Sequence, residues 1–220
     1  MMKNAPRRED GLSRERIIEE TIVLLDSHGE KGLTFRALAE RLATGAGAIY
    51  WHVANKDDLL ASACDEIVAR ALSAPLDDAP PEEVIRALAL ALFDAIDERP
   101  WAGSALTRAP LQSPMVRILE RLGQQVRLLG VPAQGQFASA AALLSYIVGV
   151  SVQNAANAQI GRRLGGDRTA ILGEVAQAWS RLDAEAYPFT RSMAAQLPVH
   201  DDRADFLTGI NLILRGLAQS

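Results

Sequence analysis

The chain has 220 residues, 49% of them hydrophobic and 23% charged, a balance that predicts a sizeable folded core and excludes a peptide-sized scaffold or a wholly disordered chain. A net charge of -4 excludes bulk basic attraction to nucleic acid, so any phosphate contact has to come from local placement. Cys64 is the single cysteine, which excludes an internal disulfide or a thiolate zinc site and points to a reducing, cytoplasmic location.

The first residues, MMKNAPRRED, lack the apolar run of a secretory signal. Residues 1–12 are expected to form a flexible arm, and Arg7, Arg8, Arg14 and Arg16 make the N-terminal region basic enough to reach phosphates or a minor groove. From there apolar residues recur at helical spacing along nearly the whole chain and predict an all-α fold. Ile17, Ile18, Thr21, Leu24 and Leu25 mark one face of a first helix over about 14–28, capped by Ser13 and ended by Gly29. Thr34 caps a short second helix carrying Phe35, Leu38, Ala39 and Leu42, and a turn at Ala43-Thr44-Gly45 precedes a third segment over about 46–52. Asn55 caps a fourth helix whose first turn holds Asp57 and Asp58 near the positive end of its dipole.

Prolines and acids at 74–83 break that helix from the next, at about 82–98, which Pro100 ends. Ser113 and Pro114 open a helix that runs to Gly130. Residues 134–160 have no charged side chain and predict a long helix central to a core or an interface. Even there, no stretch is read as reaching the ~18 to 20 uncharged apolar residues of a membrane helix, so no membrane partner is expected. GRRLGGDR, residues 161–168, predicts a flexible loop, and helices at about 168–184, 187–195 and 202–217 complete the chain.

The segment TFRALAERLATGAGAIYWHVANKDDLL, residues 34–60, carries the functional information. A helix, a tight glycine-containing turn, a short second helix and an immediate restart are the parts of a helix-turn-helix. Leu38, Leu42, Ile49 and Val53 are placed to hold the two helices together, leaving Arg36, Thr44, Tyr50, Trp51 and His52 outside. Three consecutive amphipathic side chains on so short a helix cannot all be core. Lys56, at a helix start, would join its ammonium to free backbone N–H groups as a phosphate site.

On these residues, from the Leu24-Leu25 end of the first helix to the Asn55–Leu60 restart, positions 13–60 resemble the DNA-binding domain of TetR-family transcriptional repressors. The resemblance implies a helix-turn-helix domain over 13–60 and a larger helical domain over 61–220 that binds an inducer and forms a homodimer on palindromic operator DNA. It also implies that Arg36 lies near the DNA, that Thr44, Ala46, Gly47, Ala48 and Tyr50 face the groove, and that Tyr50, His52 and Lys56 contact phosphate. With so few polar side chains at the start of the recognition helix, Ala46 and Ala48 are expected to touch thymine methyls, and Arg36 to supply the hydrogen-bonded readout. The effector should move the fourth helix and so the spacing of the recognition helices.

An effector cavity is expected between the helices at 82–98, 114–130, 134–160 and 168–184, with Trp101, Arg108, Gln124, Tyr146, Gln153, Asn154 and Trp179 as its polar or aromatic lining. No histidine lies between His52 and His200, so no metal or other cofactor is expected, and an apolar or aromatic effector fits better than a metal-chelated one. The uncharged 134–160 helix and the last helix, with Phe206, Ile210, Leu212, Ile213, Leu214 and Leu217, carry more apolar face than one bundle needs and predict a four-helix dimer interface. Two rivals stand beside this reading. Asp201, Asp202 and Asp205 match the aspartate spacing of magnesium-dependent all-helical enzymes, and the aromatic triplet at 50–52 could dock a protein helix instead.

Overall fold

Caps read from the sequence set the first helices. In the computed structural model, which describes residues 12–74, 78–108, 113–163 and 168–218, the Ser13 hydroxyl accepts from the Arg16 N–H at 3.2 Å and opens α1, Arg14–Gly32. Regular geometry breaks at Gly29, whose φ of 62° is the left-handed conformation that favours glycine. Thr34 Oγ1 accepts from the Ala37 N–H at 3.1 Å to open α2, Phe35–Arg41, and α3 follows as Ala46–Tyr50. Asn55 Oδ1 accepts from the Asp58 N–H at 2.9 Å, and Asp58 in turn accepts from the Ala54 N–H at 2.9 Å. This reciprocal cap starts α4, Lys56–Ala71. The basic arm proper, with Arg7 and Arg8, lies outside the described residues.

The larger region continues as α5, Pro81–Glu98; α6, Pro100–Arg108; α7, Ser113–Leu128; α8, Ala133–Arg163; and α9, Arg168–Ser180. A short α10, Pro188–Met193, a 3-10 helix, Ala194–Val199, and α11, Asp202–Leu217, complete it. Among the described residues every regular element is helical, as expected. α8 lies in the middle, packed on α5, α6, α7 and α11. Ile85, Leu88 and Leu92 of α5, Ile118 and Leu122 of α7, Leu143 and Ile147 of α8, and Phe206 and Ile210 of α11 are all essentially inaccessible. They belong to one continuous core with Ile17, Leu38 and Ile49 of the first three helices.

Four expectations are corrected. Pro100 ends α5 and also stands first in α6, a helix the sequence reading passed over although proline is favoured at that position. The segment read as a loop from 161 is helical through Arg163, residues 164–167 lying outside the description. Ala133–Ile160 is long and apolar enough, by length and composition, to cross a membrane, contrary to the reading that no stretch is; here one face of that helix is buried among its neighbours. Arg14 is not part of a free arm, because its guanidinium donates to Ser62 Oγ at 2.7 Å and lies 3.5 Å from Asp58. Arg16 is on α1 as well, exposed.

Candidate nucleic-acid interface and ligand cavity

Leu38, Leu42, Ile49 and Val53 are buried where α2 meets α3, as their spacing requires. The turn between the helices is closed by Ala43 N–H donating to Glu40 O at 3.3 Å and Thr44 N–H donating to Ala39 O at 3.0 Å. Ala43 itself holds a φ of 51°, the one strained backbone position in the motif. An ion pair of 2.7 Å between Arg41 and Glu20 ties α2 to α1. What remains outward is α3. Thr44, Ala46 and Ala48 are partly exposed and Gly47 is exposed, and a Cβ added at Gly47 would meet no atom within 4 Å.

Around that bare helix stand larger side chains held in place from below. The Tyr50 ring is 54% exposed yet stacks on Phe35 with centroids 4.2 Å apart and planes 11° apart, so its phenol is presented at a fixed position. Trp51 is 90% exposed, its indole left almost wholly in water. Arg36 is exposed and, among the described residues, pairs with Glu40 alone, one turn away at 3.0 Å. His52, half-buried, sits close enough to the start of α1 to act on Glu15, whose carboxyl is held below its ordinary range by its own backbone N–H, the Ser13 hydroxyl, and then Arg14 and His52.

Lys56 is placed differently from the expectation. Its ammonium turns away from the α4 N-terminus and donates to Glu30 O, at the end of α1, at 2.6 Å. The Glu30 carboxylate pairs with Arg108 of α6 at 2.7 Å, and Asp26 of α1 accepts from Trp101 Nε1 at 2.7 Å and Arg99 Nε at 3.2 Å. Trp101 and Arg108 therefore tie the helix-turn-helix region to the rest of the chain, and Trp101 also lines a cleft of about 480 Å³ with Leu25, Asp26, Gly29 and Arg99, which is not the cavity between helices that the sequence reading expected. Their partners Asp26 and Glu30 carry no signal in a helix pattern, because the contact joins positions some 75 residues apart.

Of the other expected residues Asn154 lines a cavity among the described residues. The cavity with apolar walls has a volume of about 550 Å³ and lies between the second half of α8, α9, the 3-10 helix and the start of α11. Ile160, Ile171, Leu172, Val175 and Leu197 form its walls, with Asn154, Asn157, Ala158, Arg168 and Asp202 completing the lining. The space expected between α5, α7 and α8 is instead filled by core side chains. Gln124 is exposed and bonded to Glu120 at 2.8 Å, and Gln153 is exposed on the outer face of α8. Trp179 is half-buried on α9 without reaching the cavity. The Tyr146 hydroxyl donates to Phe206 O at 3.2 Å and its ring stacks on Phe206, so burial, with Asp205 nearby, pushes the phenol up. A wider cleft of about 680 Å³ between α1, α4 and α7 is rich in acids, among them Asp58 and Asp65, which are paired with Arg14 and Arg117.

The three aspartates of the rival enzymatic reading have other duties. Asp201 caps α11 by accepting from the Arg203 and Ala204 N–H groups, both at 3.0 Å. Asp202 lies 2.6 Å from Arg168 and 2.9 Å from His200, whose other ring nitrogen is 2.8 Å from Asp205. Among the described residues no group of three or more His, Cys, Asp or Glu side chains is arranged to hold a metal ion.

Comparison with known proteins follows the same division. The family model of bacterial regulatory proteins of the tetR family matches residues 17–63. Over 140 residues the chain is 29% identical to an HTH-type transcriptional regulator of Saccharopolyspora erythraea, 63% of this chain and 59% of that one. Over 59 residues it is 44% identical to the class D tetracycline repressor of Escherichia coli, 27% of each. The matches thus span less than two thirds of these two curated relatives. A solved TetR transcriptional regulator of Streptomyces coelicolor is 46% identical, with 95% of this chain and 99% of that one covered and a TM-score of 0.85.

Proposed function

This chain belongs to the TetR family of transcriptional regulators, and from that membership we propose that it is a cytoplasmic, ligand-responsive repressor that binds palindromic operator DNA as a homodimer. The observation that carries this reading is the bare outer face of α3, small residues backed by a buried Ile49 and flanked by the pinned Tyr50 and the exposed Trp51. Small side chains let a helix approach base edges closely, and Ala46 and Ala48 offer methyl contact to thymine. Arg36, held by an exposed pair, can exchange Glu40 for a guanine. Tyr50, His52 and Lys56 fix register on phosphates, Thr44 flanking them. For Lys56 this means exchanging the Glu30 carbonyl for a phosphate oxygen.

The homodimer is supported by an uncharged stripe on α8. Ala138, Ala142, Ser145, Gly149, Gln153, Ala156 and Ile160 recur every three or four residues, all exposed, a spacing that lays them along one helix face. Leu212 on α11 is 60% exposed. Two such faces packed across a twofold axis would cover each other. We assign residues 13–60 to DNA binding and the remainder to effector binding and dimerisation, with α4 running unbroken through the boundary. Effector release works through that helix and through α6. Asn154 donates to Asp97 at 3.0 Å, two residues before Arg99, and Arg99 and Trp101 both hold Asp26 of α1.

The test is fluorescence anisotropy on a labelled duplex from directly upstream of the gene, at two salt concentrations against scrambled competitor. Tight, competitor-resistant, salt-sensitive binding is the expected result. Lys56→Ala should weaken binding to every sequence and reduce the salt slope by roughly 0.9 per subunit. A selection from random duplexes that enriches no palindrome would overturn the reading.

A further inference from the structure

We propose that the cavity between α8, α9 and the start of α11 takes an uncharged, largely apolar molecule carrying a hydroxyl or keto group at one end. This deepens the effector reading and rests on it for its role in regulation. The apolar wall comes from α9, none of whose residues is buried; Ile171, Leu172 and Val175 are half-exposed and face the cavity. At about 550 Å³ the space is within the range of small-molecule sites, roughly 300 to 1,000 Å³. A helix that spends its apolar side chains on a cavity instead of a core is stabilised by an apolar occupant.

The charges at the rim decide the rest. Arg168 is matched by Asp202 at 2.6 Å, and the second oxygen of Asp202 is taken by His200 at 2.9 Å. Among the described residues a charged ligand would find no free counter-ion and would enter at a desolvation cost that an apolar wall does not offset. Hydrogen bonding is available without charge. Asn154 spends one of its two amide N–H groups on Asp97 and keeps its carbonyl oxygen, which accepts from a hydroxyl. Asn157 is exposed at the same rim and its side chain makes no hydrogen bond among the described residues, so its amide can donate to a keto oxygen or a hydroxyl.

Nile red, an uncharged keto dye, is the probe, and the anionic dye anilinonaphthalene sulfonate its counterpart. Titration of the full-length protein should show saturable Nile red fluorescence at one site per protomer. Leu172→Trp, which fills the space, should weaken it at least tenfold, and the anionic dye should bind at least tenfold more weakly than Nile red. Ile171→Trp serves as the second variant should Leu172→Trp melt below the parent. Nile red affinity unchanged within twofold in a folded filling variant, or equal binding of the anionic dye at the same site, overturns the proposal. Operator anisotropy with Nile red present separates it from the effector reading. Dye that binds and is lost on filling but never alters operator affinity leaves the site standing and defeats its regulatory role. Dye that alters operator affinity equally in the filled variant defeats the site and leaves the role.

Discussion

Gly47→Ala separates what α3 needs for folding from what it needs for its partner. Gly47 is the second of five residues in α3, its backbone is helical, and an added Cβ would touch nothing within 4 Å. Glycine in a helix costs roughly 0.5 to 1 kcal/mol relative to alanine, through the backbone entropy it loses on folding. With no clash to subtract, the variant should gain about that amount, a rise in Tm of roughly 2 to 4 °C per kcal/mol for a chain of this size. Urea and thermal unfolding measure the gain, and operator anisotropy measures the cost. If the helix face sits close to base edges, the new methyl should weaken specific binding about tenfold, or ~1.4 kcal/mol. A variant less stable than the parent would show that the fold requires this glycine. A stabilised variant with operator affinity unchanged within twofold would show that the face of α3 bearing Gly47 does not meet the DNA.

Three more perturbations test the scaffold. Gly209→Ala places a Cβ 1.8 Å from Tyr146 Oη, and displacing a ring stacked on Phe206 should cost about 1 to 3 kcal/mol in urea unfolding; a Tyr146→Leu background should remove most of that loss, and its persistence there would refute the contact. Trp101→Phe deletes the bond from Nε1 to Asp26 while keeping most of the buried ring, so stability should fall by about 1.5 to 3 kcal/mol, the range for a hydrogen bond to a charged group. No change would remove α6 from the account of how the domains are joined. Cys64 is fully buried, its Sγ directed at Ala102 O, and burial pushes its thiol up to about 12 from an ordinary 9.0. The folded protein keeps the proton longer than the unfolded chain, so this contribution is intact below pH 9 and is lost as pH rises from about 9 towards 12. The stability difference between the parent and Cys64→Ala should shift against the parent by roughly 1 kcal/mol per pH unit in that window, and a thiol reagent should find Cys64 at pH 8 only after unfolding.

Short-range chemistry made much of this protein legible from its residues. Caps at Ser13, Thr34 and Asn55, the break at Gly29 and the helix-turn-helix spacing of Leu38, Leu42, Ile49 and Val53 each depend on neighbours within a few positions, and each stands where the pattern put it. The outward set Arg36, Thr44, Tyr50, Trp51 and His52 follows from the same periodicity, since two helices that bury one face must show the other. The family resemblance needed only that stretch, and membership rests on a likeness that runs over 95% of the chain. The tertiary structure decided everything that joins distant positions. Nothing near Lys56 announces the Glu30 carbonyl, nothing near Trp101 announces Asp26, and a long uncharged helix does not say which of its faces meets α5 and which stays open. The cavity moved for the same reason: helical spacing tells which side chains share a face, while the volume left between helices depends on how tightly α5, α7 and α8 close on one another. Leu88, Leu122 and Ile147 fill that space, and room for a ligand remains where α9 stands off from α8.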